Sequence, residues 1–371
     1  MSHRSLSVAL DVLPLVGEPS GVGTSCRGLL EALVDHPGVE VRAYAVARKP
    51  FVAHRELSRS VPFRGIPIPS RLAHLGWRFG AFLPAELLTG RADVVHGTNF
   101  SVPPTSRAAA VVTVHDLTAV RYPELCTPAS RGYPALVRAA VGRGAHVHVP
   151  SDFVRHEVVE LLSVPEDRVR TIHWGVPRID EPTAQTSIKA PYILSLGTVE
   201  PRKDYPSLVE AFSRLSERYR ELRLVLAGSD GWGTGALTDA ITRHRLEDRV
   251  LRLGYVNEEE RSGLLWGASV LAYPSLYEGF GFPPLEAMVA GVPVVATRAG
   301  GVPEVVGEAA ILVEPGATDD LARALEEALV DEALRRRLKG AGERQVASFA
   351  WERTAEQMVA LYQAALSEKA S

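Results

Sequence analysis

The chain has 371 residues, more than one ordinary hydrophobic core accommodates. Apolar residues make up 46% and charged residues 23%, enough to build two cores and too apolar for a disordered chain. A net charge of −3 argues against nucleic acid as the main partner.

Only two cysteines occur, Cys26 and Cys126, and no apolar run reaches the roughly 18 residues of a membrane span, so the expectation is a cytoplasmic protein. The opening M-S-H-R-S-L-S-V-A-L-D meets Asp11 too early for a signal peptide. Charge is unevenly spread. Residues 1–178 hold 20 Lys and Arg against 15 Asp and Glu, whereas residues 179–371 hold 21 against 29. The basic excess lies between Arg42 and Arg78, where eight Lys and Arg face one acid, Glu56. Such a block is either a solvated surface or an interaction surface.

In chain order, Leu6–Leu13 reads as a first strand, followed by the glycine turn G-E-P-S-G-V-G and a helical run from Thr24 to Val34. A glycine turn opening a helix offers backbone N–H groups to an anion. The dinucleotide fingerprint is incomplete, however: Gly21 and Gly23 are followed by Cys26 where a third glycine belongs. No acid closes the second strand, Val39–Val46, so a nicotinamide cofactor is not expected. Short apolar runs follow at Val94–His96, Ala109–Val114, His146–Val149 and Val169–His173. His115 stands directly after the second of these, in T-V-H-D-L. An imidazole there is either a satisfied core group or a hydrogen-bonding partner for a ligand hydroxyl. Ser151 sits where an N-cap belongs before Phe153–Leu162.

Pro177 to Ala190 is polar and aperiodic, the texture of a linker. Alternation then restarts at Tyr192–Leu196 and runs through Leu222–Ala227, Val250–Leu253, Val270–Tyr273, Val292–Ala296 and Ala310–Val313. Strands alternating with helical stretches predict two α/β, doubly wound parallel sheets, whose ligand loops lie at the carboxyl ends of strands. Two such loops stand out. L-G-T-V-E-P-R-K-D, Leu196 to Asp204, sets Arg202 and Lys203 side by side, a planar fork and a point charge suited to phosphate. E-G-F-G-F-P-P-L-E, Glu278 to Glu286, frames a Gly/Phe/Pro loop with two carboxylates, acceptors suited to a ligand rich in hydroxyls or simply solvated acids at a tight turn. No D-x-D triplet occurs to hold a divalent cation on a diphosphate, so a metal-free site is expected. The tail from Trp351 to Leu366 is an amphipathic helix pattern.

Taken in order, the glycine turn, T-V-H-D-L, V-P-S-D-F-V-R, G-T-V-E-P-R-K-D, the E-x7-E loop and F-A-W-E-R-T resemble the retaining GT-B glycosyltransferases of family 4, the group 1 enzymes, and mannosyltransferase members most. The resemblance implies two Rossmann-like domains facing a cleft: residues 1–178 for the acceptor, a linker at 179–190, residues 191–350 for the nucleotide sugar, and a helix at 351–371 returning to the first domain. It implies that Glu286 accepts from ribose hydroxyls and that Glu278 supports the sugar and its phosphate. Phe280, Gly281 and Phe282 would line that pocket with Gly197 and Thr198, and Arg202 and Lys203 would hold the diphosphate. Gly21 and Gly23 would approach the phosphate, His115 would sit beside the reacting carbon, and Gly254, Tyr255 and Val256 would flank the base.

The implied function is transfer of a hexosyl group to a glycan, lipid-linked or small-molecule hydroxyl, without cofactor or metal. GDP-mannose is the first-choice donor, with UDP-glucose or a related UDP-hexose as the alternative. A sugar-nucleotide 2-epimerase and a non-catalytic sugar-nucleotide-binding protein are the competing readings. Residues 42–82 mix cations with Phe51, Leu75, Trp77, Phe79 and Phe82, a composition suited to peripheral contact with an anionic membrane on its inner face.

Overall fold

The computed structural model describes residues 5–16, 20–49, 61–80, 84–182, 188 and 191–370. The chain divides into two units, Met1–Gly175 with Phe349–Ser371, and Val176–Ser348. Parts of three sequence features lie outside the described residues: Gly17–Pro19 of the glycine turn, Phe51 and Phe82 of the basic stretch, and most of the linker tail before Ala190.

The first unit is built on seven parallel strands. They are β1 Leu6–Asp11, β2 Val39–Val46, β3 Phe63–Ile66, β4 Val94–Gly97, β5 Ala109–Thr113, β6 His146–Val149 and β7 Val169–Thr171. Their order across the sheet is β3-β2-β1-β4-β5-β6-β7. The central strands are buried along almost their whole length, as a sheet covered by helices on both faces requires, and β4 and β6 carry buried histidines among their valines.

The first strand stops two residues short of the sequence expectation. Asp11 Oδ1 accepts from the Leu13 N–H at 2.9 Å, and Leu13–Leu15 turns as a 3-10 segment around Pro14, which has no N–H for a ladder. The next helix, Gly21–Asp35, starts earlier than expected. Ser20 caps it by accepting from the Gly23 N–H at 3.2 Å, so Gly21 and Gly23 form its first turn rather than a loop before it. Strand β3 and the helix Ser70–Phe79 were not foreseen. Four residues, F-R-G-I, inside a basic stretch give no strand signal of their own.

The C-terminal helix, Trp351–Ala370, belongs to the first unit. Its first residue is seated by two glycines: a Cβ on Gly28 would lie 2.1 Å from the Trp351 ring, and one on Gly175 2.4 Å from it. Thr354 Oγ1 donates to the His173 carbonyl at 2.8 Å. Further along, Tyr362 joins a buried polar chain across the sheet. His148 Nε2 lies 2.9 Å from the Ile172 carbonyl, which only accepts, so that nitrogen carries the proton. Burial lowers the His148 pKa to about 3 and drives His96 well below the usual imidazole range, so both rings are neutral. The directions then follow in sequence. Thr113 donates to His148 Nδ1 at 2.9 Å, His96 Nε2 donates to Thr113 at 2.8 Å, and Tyr362 donates to His96 Nδ1 at 2.7 Å.

The second unit holds six parallel strands: β8 Tyr192–Leu196, β9 Arg223–Ala227, β10 Val250–Gly254, β11 Val270–Tyr273, β12 Val294–Thr297 and β13 Ala310–Val313. Their order is β10-β9-β8-β11-β12-β13. The chain winds outward from β8 to β10, then returns to β11 on the other side and winds outward again. The reversal between β8 and β11 is a topological switch point, where loops leave adjacent strands in opposite directions and open a crevice at their carboxyl ends.

Candidate active site

Both conspicuous loops of the second unit leave that crevice. Strand β8 runs into Gly197, whose φ of 143° is a glycine conformation, and whose carbonyl accepts from the Tyr205 hydroxyl at 2.9 Å. Thr198 follows, and the chain then coils as a 3-10 turn, Pro201–Lys203, before the helix Tyr205–Arg218. Asp204 holds the N-cap position of that helix with φ at 48°. Strand β11 leads through Pro274 and Ser275 to Glu278, and then to the helix Phe282–Val289.

The two loops interlock. Lys203 Nζ lies 2.5 Å from Glu278 Oε1 and 3.1 Å from the Tyr273 hydroxyl, and Arg202 Nη1 lies 2.8 Å from Glu278 Oε2. Ser275 donates to Glu278 Oε1 at 2.8 Å, and Arg202 Nε donates to Glu200 at 2.9 Å. The backbone closes the same junction, since the Leu276 N–H donates to the Arg202 carbonyl at 2.7 Å. A third loop, after β12, joins it: the Gly301 N–H donates to the Glu278 carbonyl at 2.8 Å. Gly300 stands beside that carbonyl with φ at 58°, and a Cβ there would come within 2.1 Å of the oxygen.

The electrostatics are set by burial and pairing together. Burial alone would raise the Glu278 carboxyl. The charges of Arg202 and Lys203, with hydrogen bonds from Lys203 and Ser275, outweigh it and hold the group at about 2. Lys203 is 7% exposed, and burial draws its ammonium below the usual lysine range while Glu278 pulls the other way. Its charge also lies 4.7 Å from the centre of the Tyr273 ring. Burial and the nearby Glu278 charge keep Tyr273 protonated well above its usual range. The result is a fixed guanidinium and ammonium at the mouth of the switch point, oriented by an ionised carboxylate.

The remaining expected residues of this unit lie at the end of β10 and after β11. Phe280 and Phe282 are buried with rings edge to face at 5.3 Å, and Gly281 between them has φ at 114°. Glu286, on the helix Phe282–Val289, is buried at 3% exposure and is paired with Arg261 through Oε2. Gly254 ends β10 with φ at 69° and its carbonyl accepts from the Gly228 N–H at 2.8 Å. Tyr255 is exposed and Val256 half-buried beyond it.

Three expected residues belong to the first unit. Gly21 and Gly23 open the helix after β1, where a Cβ on Gly23 would press to 3.0 Å from the Pro14 carbonyl. His115 follows β5, and its Nε2–H donates to the Thr98 carbonyl at 2.8 Å. Its ring lies stacked 6.1 Å from Trp174, and burial lowers its pKa below the usual range, which leaves a neutral imidazole with Nδ1 as an acceptor. Thr98 also donates to the Asp11 carbonyl at 2.8 Å, so the ends of β1, β4 and β5 are bonded together. Asp11 itself is buried at 7% exposure, and burial raises its pKa to about 7 against the pull of the Leu13 N–H.

Sequence reasoning missed Tyr273, Ser275 and Arg261. Tyr273 reads only as the last residue of an apolar run, and Arg261 as one charge in N-E-E-E-R. The partners of Tyr273 and Arg261 lie in a different loop or helix, which spacing along the chain does not show, and Ser275 bonds Glu278 within one loop whose fold the sequence does not reveal.

Two doubly wound, Rossmann-like units of this kind place the protein in the GT-B class of α/β proteins. The description "Glycosyl transferases group 1" matches residues 180–345 and "Glycosyltransferase Family 4" matches residues 19–178. The O-antigen chain mannosyltransferase B of Escherichia coli is 32% identical over 281 residues, covering 72% of this chain and 74% of that protein. The chain therefore belongs to the group 1, family 4 glycosyltransferases, and is an enzyme of that class. The MMP alpha-(1->4)-mannosyltransferase of Mycolicibacterium hassiacum is 40% identical over 176 residues, covering 46% of this chain and 42% of that one. Among solved structures, Anabaena Alr3699/HepE in complex with UDP-glucose superposes with a TM-score of 0.74 at 18% identity, covering 97% of this chain and 100% of that one. At that identity the likeness speaks for the fold.

Proposed function

We propose that this glycosyltransferase moves a mannosyl group from GDP-mannose to an acceptor hydroxyl with retention of configuration. A UDP-hexose is the alternative donor. The observation that carries the donor reading is the interlocked cluster of Arg202, Lys203 and Glu278 at the switch point of the second unit. The mannosyl preference is supported by the two mannosyltransferase relatives.

Breaking the bond from the anomeric carbon to the phosphate oxygen leaves negative charge on the diphosphate and positive character on the sugar. Arg202 and Lys203 act as preorganised cations for the departing diphosphate, a kind of stabilisation that is usually the largest catalytic contribution. Backbone N–H groups of Phe280, Gly281 and Phe282 add donors on the same side, and Gly197 and Thr198 let the backbone approach. Glu278 orients the two cations and supports the sugar–phosphate, and with its pKa at about 2 it is not a proton carrier near neutrality. Attack comes from the face the phosphate leaves. The acceptor oxygen bonds the anomeric carbon, and its proton passes to the departing phosphate oxygen. Glu286 takes the ribose hydroxyls, and Gly254, Tyr255 and Val256 flank the base. In the first unit, Gly21 and Gly23 suit contact with a phosphate and a neutral His115 contact with a sugar hydroxyl, and the acceptor binds in that unit.

The donor question is tested by a thermal-shift panel of GDP- and UDP-sugars, followed by transfer assays with the best donor. GDP-mannose is expected to give the largest shift, and activity is expected to survive EDTA. A UDP-sugar that binds tenfold better, or complete loss with EDTA restored by Mg²⁺, would contradict the reading.

The acceptor surface carries a further feature. The helix Ser70–Phe79 exposes Leu72, Leu75 and Phe79 on one face, flanked by Arg71 and Arg78. Among the described residues no helix is long and apolar enough to cross a membrane. An exposed apolar face edged by arginine suits shallow contact with an anionic lipid surface, and hence a lipid-linked acceptor. Sedimentation with vesicles should increase with anionic lipid and fall with salt; binding indifferent to both would remove this part of the proposal.

A further inference from the structure

Glu286 is one of the two framing carboxylates, and its surroundings say more than its spacing does. It lies on the helix Phe282–Val289, 3% exposed, and its Oε2 is held by Arg261 Nη2. A carboxylate so far from water is costly to bury without a counter-charge or a full set of donors. Arg261 supplies the charge from a different element, the helix Glu258–Gly267 that follows β10.

The local sequence fixes where that guanidinium starts. Asn257 caps the helix by accepting from the Glu260 N–H at 2.9 Å, and the Glu260 side chain accepts in return from the Asn257 N–H at 2.9 Å. This capping box sets the first turn, and Arg261 is the next residue. A cation so near a helix N-terminus gains nothing from the helix dipole. The preceding Glu258, Glu259 and Glu260 supply the acidic first turn that such a start favours. Arg261 reaches instead across to the buried Glu286, with its own side chain 28% exposed.

The pair also joins two parts of the candidate donor site. Gly254, Tyr255 and Val256 lead directly into the Arg261 helix, and Glu286 lies on the helix that Phe280 and Gly281 lead into. A carboxylate has two oxygens with about four acceptor positions, and one is taken by Arg261.

Resting on the reading of Glu286 as the ribose ligand, we propose that Arg261 is a positioning residue of the nucleotide site: it holds Glu286 by Oε2 and so presents Oε1 to the ribose hydroxyls. The hydroxyls then meet a carboxylate already oriented, and the helix carrying Arg261 is tied to the ribose end of the donor. The contribution is to affinity for any nucleoside diphosphate, whatever its base.

The test is calorimetric titration of GDP and of UDP into the full chain as wild type, Arg261→Met, Arg261→Lys, Glu286→Gln and the Arg261→Met/Glu286→Gln double variant. Arg261→Met should weaken both nucleotides about tenfold, the scale of losing one hydrogen bond to a charged group. The double variant should bind no worse than Glu286→Gln alone. In steady state the loss should appear in the donor KM rather than in kcat. Arg261→Lys, which keeps the charge but not the fork, should recover part of the affinity, and it decides the matter if Arg261→Met does not fold. A merely structural arginine would lower the melting temperature and leave the affinity of the folded protein unchanged. Unchanged or tighter binding in the Arg261 variants, with Glu286→Gln weakened, would overturn this proposal alone. Wild-type binding by Glu286→Gln would overturn the ribose reading and this proposal with it.

Discussion

Two of the buried polar networks among the described residues, one in each unit, handle charge in opposite ways. In the first unit Tyr362, His96, Thr113 and His148 form a neutral relay that ends on a backbone carbonyl, and burial keeps both imidazoles unprotonated. In the second unit Lys203 and Glu278 form an ion pair at 2.5 Å in comparable burial, and Arg202 adds a second cation to the carboxylate. A neutral relay serves to pin the C-terminal helix to the sheet. A charged cluster at a switch point is costly to desolvate, and under the proposed function it serves to meet a charged ligand. The contrast sets a network that ties helix to sheet apart from one proposed to bind a ligand, without appeal to sequence spacing.

Substitutions break this comparison to different degrees. The largest effect is expected for Glu278→Ala, which leaves a buried ammonium without its carboxylate and should cost about 3–5 kcal/mol in urea unfolding, together with activity. Adding Lys203→Met should recover most of that stability and none of the activity. If the single substitution were neutral to stability, the cluster would not be the tightly coupled unit described.

Asp11 should move stability the other way. Its folded pKa of about 7 lies above the unfolded value of 3.8, so the native state keeps a proton that the unfolded chain releases, and stability is lost as pH rises between them. Asp11→Asn should therefore raise stability at pH 8 by about 2 kcal/mol and little at pH 4. An equal effect at both values would show that Asp11 is not held protonated.

The smallest effect is expected in the neutral relay. Tyr362→Phe leaves the His96 Nδ1 acceptor without its donor and should cost about 1–2 kcal/mol, with activity retained. The relay also has a pH sign of its own. His148 titrates at about 3 in the fold and near 6.5 when unfolded, so its contribution is present above 6.5 and lost as pH falls toward 3. Chemical unfolding from pH 7.5 to 5 should show that decline, and it should shrink in His148→Phe.

Much of this architecture was legible in the sequence, and the gaps have physical causes. The strands of both sheets announce themselves because parallel strands buried on both faces are continuous apolar runs. Strand β3 does not, being four residues at the sheet edge with an arginine and a glycine. The helix after β1 begins at Gly21 rather than Thr24 because the Ser20 cap outweighs the poor helix propensity of two glycines. Arg202, Lys203, Glu278 and Glu286 could be picked out by residue type and strand-end position. Arg261, Tyr273 and Ser275 could not, because each matters through a bond to a residue far from it or through the loop it helps fold.

The central claim is that Arg202 and Lys203 meet the diphosphate of a nucleotide sugar. It is tested most directly by calorimetric comparison of GDP with GMP, and of UDP with UMP, in wild type and in Arg202→Ala and Lys203→Ala. The account predicts that the wild type prefers the diphosphate strongly for one base, that either substitution removes most of that preference, and that Glu286→Ala weakens diphosphate and monophosphate alike. A preference for the diphosphate that survives both alanine substitutions would contradict it.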